Sequence, residues 1–207
     1  RAANLLGNLC RHSGKLYPDL ARYGVLPALI ELCGDEDRAA RKFACFAIGN
    51  AGFHDAMLYE ALRPAVAPLV SLLSDEEDRT RANAAGALGN LVRNSNILCR
   101  ELISAGALRA LTDLVMQQTN QSSSSSGNNN NKQQPTSGSS GSGSALHIAL
   151  FSLGNLCAHD ECADALVKLG LREALGSITG IDAVGNKYVV RVAQKLAQFQ
   201  ARQGRGS

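Results

Sequence analysis

The sequence predicts an all-α, right-handed solenoid of about four to five stacked helical repeats, broken by one long disordered insertion. Three observations carry this. A Gly-Asn pair closes an Ala/Leu-rich run four times, at Gly7-Asn8, Gly49-Asn50, Gly89-Asn90 and Gly154-Asn155. The intervals between these asparagines are 42, 40 and 65 residues, and the longest contains a Gln/Ser/Asn/Gly tract whose removal restores a period near 40. No segment shows the polar/apolar alternation of a half-buried strand.

The elements follow in chain order. The chain begins at Arg1, without a Met or a signal segment, and reads as a fragment of a longer protein whose opening helix, 1–13, is the third helix of a truncated repeat. Full repeats follow at 14–54, 55–95 and 96–159, and a last unit runs from 160 to about 203. Each repeat has two short apolar helices and a longer third helix. A glycine stops the first helix at Gly24, Gly106 and Gly170, where a left-handed residue satisfies the free carbonyls. The second repeat has Arg63-Pro64 there instead. The acidic turns Asp35-Glu36-Asp37 and Asp75-Glu76-Glu77-Asp78 precede third helices, where carboxylates suit the exposed amides and the helix dipole. Residues 117–144 carry one charge, Lys132, and cannot bury enough surface to offset chain entropy. The tract falls between a second and a third helix, so the chain divides into repeats over 1–116 (the third full unit covering 96–116), the disordered insertion 117–144, repeats again over 145–203, and a tail, 204–207. Period and triplet together are those of the armadillo/HEAT class, in which stacking is obligatory because no unit buries its own apolar face.

Composition agrees. The 207 residues are 45% hydrophobic but only 4% aromatic, with no Trp, so the core is built from Ala, Leu, Val and Ile. No apolar run is long enough to span a membrane. A net charge of +3 is too small to point to nucleic acid. The six cysteines form no CxxC pair and lie in apolar helical runs, as buried reduced thiols of a cytosolic protein would.

Helical wheels place one residue set on a common face of the third helices. In the opening helix it is Arg1, Asn4, Asn8 and Arg11; in the next, Lys42, Phe43, Phe46, Asn50 and Phe53. It continues as Arg79, Asn83, Gly86, Asn90 and Arg93, then Ile148, Phe151, Asn155 and Ala158, then Tyr188, Arg191, Lys195 and Gln198. The candidate groove residues are therefore Asn8, Arg11, Lys42, Phe46, Asn50, Arg79, Asn83, Asn90, Arg93, Phe151, Asn155, Arg191 and Lys195. A carboxamide both donates and accepts, so a ladder of asparagines can hold an extended peptide backbone; the same ladder can instead cap the neighbouring helix. The third helices carry many cations, and all 18 carboxylates are expected in the other helices or turns. The expected partner is thus a protein, an acidic peptide or helix, rather than nucleic acid or membrane.

No catalytic site is expected. His12, His54 and His159 each stand four residues after a repeat Asn, and that recurrence marks a structural role. The run Cys157-Ala158-His159-Asp160-Glu161-Cys162 resembles a zinc site only superficially, because Cys157 repeats the core position of Cys10 and Val92. Phosphate-binding, nucleophile-elbow, zinc-protease and kinase motifs are all missing.

The runs from Asn4 to Ser13, Lys42 to Asn50 and Arg79 to Ser95 resemble the C-terminal armadillo region of Fused-type serine/threonine protein kinases, over most of the chain outside 117–144. The resemblance implies a regulatory scaffold engaging kinesin-like or other microtubule-associated partners, in the cytoplasm, the cytoskeleton or a ciliary axoneme. The alternative it implies is a purely architectural solenoid in a microtubule-based assembly such as the axoneme central apparatus. No cofactor is expected in this segment, ATP and Mg belonging to a kinase domain elsewhere in the parent chain. Importin-type grooves need a Trp four residues before each Asn; here that position is Asn4, Phe46, Gly86 and Phe151, which argues against nuclear-signal binding.

Overall fold

The computed structural model describes residues 1–124, 144–179 and 181–204, and every regular element among them is a helix. The opening helix is α1 (Ala2–His12). The first repeat contains α2 (Tyr17–Arg22), α3 (Val25–Glu31) and α4 (Arg38–Ala51). The second contains α5 (Tyr59–Leu62), α6 (Val66–Ser71) and α7 (Asp78–Asn90). The third has α8 (Cys99–Ser104), α9 (Ala107–Ser124) and α10 (Ala145–Leu156). The fourth has α11 (Asp160–Lys168), α12 (Leu171–Gly176) and α13 (Ala183–Gln203). No described helix is long and apolar enough to cross a membrane.

Local chemistry sets the boundaries. Gly24, Gly106 and Gly170 have φ of 67°, 76° and 74°, the left-handed stops expected of them. Arg63–Ala65 forms a 3-10 turn in the repeat without that glycine. Asp37 caps α4 by accepting from the Ala39 amide, and Asp182 caps α13 by accepting from Gly185. Two expectations are corrected. Helix α9 continues to Ser124, eight residues into the tract read as disordered from 117; the rest of that tract, 125–143, lies outside the described residues. Hydrogen bonding along a helix already nucleated by Leu108, Leu111 and Leu114 carries the polar residues with it. In addition, Asp78 is the first residue of α7, so the third helices are not wholly free of carboxylates.

The third helices stack in series, α1 on α4, α4 on α7, α7 on α10 and α10 on α13. They approach almost to backbone contact at the glycine of the Gly-Asn pair. A Cβ at Gly49 would stand 3.2 Å from the Ala87 Cα, and one at Gly89 only 2.8 Å from the Ser152 Cα. Close approach needs a small residue opposite, and Ala47, Ala87 and Ser152 supply it. The last junction differs. Val192 takes that position, and a Cβ at Gly154 would meet nothing nearer than Arg191 Nε at 3.6 Å. Helix α13 stands off, and bulk at one residue decides the spacing.

One continuous core runs through the stack, with Leu26, Leu62, Leu69, Leu88 and Leu102 almost fully excluded from water. Burying each such side chain is worth about 1.5–3 kcal/mol. Tyr17 and Tyr59 are fully buried, yet their hydroxyls are satisfied. Tyr17 donates to the Asn50 carbonyl (2.6 Å) and accepts from the His54 amide; Tyr59 donates to the Asn90 carbonyl (2.5 Å) and accepts from the Asn94 amide. All six cysteines are buried free thiols, and burial pushes the Cys157 thiol up to about 12.

Candidate functional site

Residues from four third helices line an open groove of about 590 Å³. Asn4, Asn8 and Arg11 come from α1; Lys42, Phe43, Phe46 and Asn50 from α4, with Phe53 just after it. Arg79, Asn83, Gly86 and Asn90 come from α7, and Ile148 and Phe151 from α10. Nine of the sequence-predicted residues are thus brought together: Asn8, Arg11, Lys42, Phe46, Asn50, Arg79, Asn83, Asn90 and Phe151. Asn4, Phe43, Phe53, Gly86 and Ile148 also line the groove; all five lie on the face that the helical wheels pick out, and that position is their signal in the sequence.

The other four are corrections. Asn155 is buried and donates to the Gly89 carbonyl (3.3 Å). Lys195 turns onto the Gly154 carbonyl (2.6 Å), and its ammonium titrates below the usual lysine range through burial first and the nearby Arg191 charge second. Arg191 stacks on the Phe151 ring at 5.2 Å and donates to Asn155 Oδ1 (3.5 Å). Arg93 is exposed and stacks at 4.3 Å on Phe53, so it borders the groove without lining it.

The asparagine ladder is first a latch between repeats. Asn50 donates from Nδ2 to the Gly7 carbonyl (3.0 Å), and Asn90 to the Gly49 carbonyl (2.9 Å). Lys195 does the same at the last junction, where its longer stem spans the wider gap. Asn8 has no preceding third helix here, and its amide folds back onto the Asn4 carbonyl (3.0 Å). Asn83 donates to the Lys42 carbonyl (3.1 Å). The histidine rows bridge repeats too: His54 Nε2 lies 3.0 Å from the Cys10 carbonyl, and His159 Nε2 bonds the Val92 carbonyl. Their recurrence is structural. Asn50 and Asn90 still have one amide hydrogen and the side-chain carbonyl uncommitted among the described residues.

Charge on the face is less uniform than the sequence implied. Cations at the start of α4 are taken up by the acidic turn one repeat later. Arg41 pairs with Asp75 (2.8 Å), Lys42 with Glu77 (2.7 Å) and Arg38 with Glu76 (2.7 Å). Asp75 is nearly buried; burial alone would raise its carboxyl, but the Glu77 amide, Arg41 and Arg81 together hold it below the ordinary range. Lys42 therefore enters the groove already neutralised. Arg11 and Arg79 remain exposed and make no ion pair among the described residues, and no carboxylate lines the groove. The result is a moderately cationic trough with rings along it, Lys42 lying over Phe43 at 5.4 Å. No set of His, Cys, Asp and Glu able to hold a metal occurs among the described residues.

Comparison with known proteins agrees with this architecture. A family model described as HEAT repeats matches residues 26–121. The chain is 44% identical over 169 residues to serine/threonine-protein kinase TIO of Arabidopsis thaliana, a match covering 81% of this chain and 12% of that protein. It is 42% identical over 92 residues to serine/threonine-protein kinase 36 of Mus musculus, covering 44% of this chain and 7% of that one. The chain therefore spans about an eighth or less of these relatives. A designed armadillo repeat protein, YIII(Dq)4CqI, superposes with a TM-score of 0.75 at 22% identity, covering 95% of this chain and 75% of that one. Another, solved in complex with the peptide (KR)4, gives 0.72 at 21% identity over 98% and 81%. These structures establish the armadillo-type stack of helical triplets.

Proposed function

Because the chain is homologous to a repeat segment of the Fused-type serine/threonine-protein kinases, we propose that it is a non-catalytic interaction module whose third-helix groove holds an acidic segment of a partner protein. The observation that carries this is the groove lining: exposed Arg11 and Arg79, four phenyl rings, the Asn50 and Asn90 side-chain carbonyls uncommitted, and no carboxylate, all among the described residues. A designed repeat neighbour in complex with the peptide (KR)4 supports a peptide as the class of occupant. The lining here calls for the opposite sign of charge. In the parent kinase the catalytic domain, with its ATP and Mg, lies outside this segment. Partners of this module are kinesin-like or other microtubule-associated proteins, met in the cytoplasm, on the cytoskeleton or in an axoneme.

The test is titration of a fluorescent Glu-rich peptide against the wild-type chain and the Arg11→Glu, Arg79→Glu double variant. The variant should bind about tenfold more weakly and with a shallower salt dependence. Equal affinity and equal salt slope would exclude the groove as the site.

A second reading is favoured by one observation. Met57 and Ile97 hold equivalent positions in successive repeats, seven residues after Asn50 and Asn90, and are 58% and 46% exposed. A solenoid docked by that edge would be an architectural element of a microtubule-based assembly such as the axoneme central apparatus. Loss of assembly in Met57→Glu, Ile97→Glu, with the groove variant unaffected, would select it.

A further inference from the structure

We propose that the groove selects its partner by one bulky apolar side chain, inserted over Gly86 between Phe46 and Phe151 and flanked by carboxylates on the bound segment. This deepens the groove reading above and rests on it. Glycine in a helix interior costs about 1 kcal/mol relative to alanine, so each one calls for a reason. Gly49 and Gly89 have theirs in the neighbouring backbone, at 3.2 and 2.8 Å from an added Cβ. Gly86 does not. Its Cβ would meet no backbone and one atom only, the branch methyl Cγ2 of the half-buried Ile148, at 3.3 Å.

The position of Gly86 gives the reason. It occupies the same place in its repeat as Asn4, Phe46 and Phe151, the row that faces the groove. The Phe46 ring of α4 leans onto Gly7 of α1 and the Phe151 ring of α10 onto Tyr188 and Arg191 of α13, so both turn away from α7 and leave the surface at Gly86 covered by Ile148 alone. The floor between them is Ala82, Gly86 and Ala87, with Ile148 as an apolar wall. The recess is apolar and open to the groove, a place for a bulky apolar side chain such as Leu, Met or Phe.

The rest of α7 fixes the surroundings. Along the groove-facing stripe stand Arg79, Asn83, Gly86, Asn90 and, just beyond the helix, Arg93. Cation and carboxamide thus precede and follow the gap. At 1.5 Å per residue, both arginines lie about 10 Å from Gly86, within reach of acidic residues two or three positions from an inserted side chain. Neither arginine has a carboxylate partner among the described residues, and the Asn90 carbonyl is uncommitted. The occupant that matches all three features is an extended acidic segment with one large apolar residue near its middle.

The experiment is selection from a short random-peptide display library on the wild-type chain, on Gly86→Met and on Arg79→Glu. Soluble versions of the enriched peptides are then measured with their apolar residue intact or changed to alanine. The wild type should enrich acidic peptides with one bulky apolar residue and lose about tenfold in Kd when that residue becomes alanine. Gly86→Met fills the recess; it should still enrich acidic peptides but show no loss on the alanine change, with thermal stability kept. Arg79→Glu should lower affinity for both peptide forms alike. Acidic peptides without apolar preference, or a preference that survives Gly86→Met, would overturn the recess and leave the groove standing. Enrichment of neutral or basic peptides, or of none, would overturn the groove itself and the recess with it.

Discussion

Asn90 carries two roles in one side chain, and the structure separates them. Its N–H closes the junction to the Gly49 carbonyl, 2.9 Å away, while its carbonyl stays uncommitted toward the groove. Asn90→Ala should cost about 1 kcal/mol in urea unfolding, because the Gly49 carbonyl loses its partner. Asn90→Asp should cost more, since it sets a carboxylate against that carbonyl. An alanine variant as stable as the wild type would show that the latch contributes nothing. The sequence pattern isolated the asparagines but could not assign these roles, since a carboxamide suits either and the deciding atom lies 41 residues away in the chain.

At the scale of the helix, α7 contains a paired control. Gly86 and Gly89 are one turn apart, equally helical, and opposite in environment. Gly89→Ala should lower stability by about 1–3 kcal/mol, because its Cβ would press on the Ser152 backbone at 2.8 Å. Gly86→Ala should raise it by about 0.5–1 kcal/mol, because helix propensity outweighs one side-chain contact, with the Ile148 Cγ2 at 3.3 Å. Circular dichroism with denaturant checks both, and equal signs would remove the distinction on which the recess depends. The helix pattern itself was readable in advance. The 3.6-residue periodicity, the three left-handed glycines and the Asp37 cap are all local and need no knowledge of the neighbours. The fate of residues 117–124 was not, because composition reports what a tract can bury and not whether a helix already under way will extend into it.

Across the whole molecule, stability should be distributed as in a one-dimensional stack. The α4, α7 and α10 helices have third-helix neighbours on both sides, closely packed for α4 and α7. In this chain α1 has one, and α13 meets α10 across the wider gap set by Val192. Amide exchange should therefore be slowest in α4, α7 and α10 and fastest at α1 and α13. Uniform protection along the chain would mean the repeats unfold as one unit. Replacing Val192 with alanine and Lys195 with asparagine together should draw α13 inward and slow its exchange.

Periodicity is a property of the chain taken in order, and it sufficed for the solenoid and for the face that bears Asn8, Phe46, Asn83 and Phe151. Which cations remain available depends on contacts across the stack. Lys42 looked as free as Arg79 until the turn of the next repeat brought Glu77 to 2.7 Å. The tertiary structure decided equally that Asn155 and Lys195 serve the junctions, and that Gly86 faces a side chain across the groove while Gly89 faces backbone. Hydrogen bonding and charge pairing act over a few ångströms, and stacking sets those distances between residues some 40 positions apart.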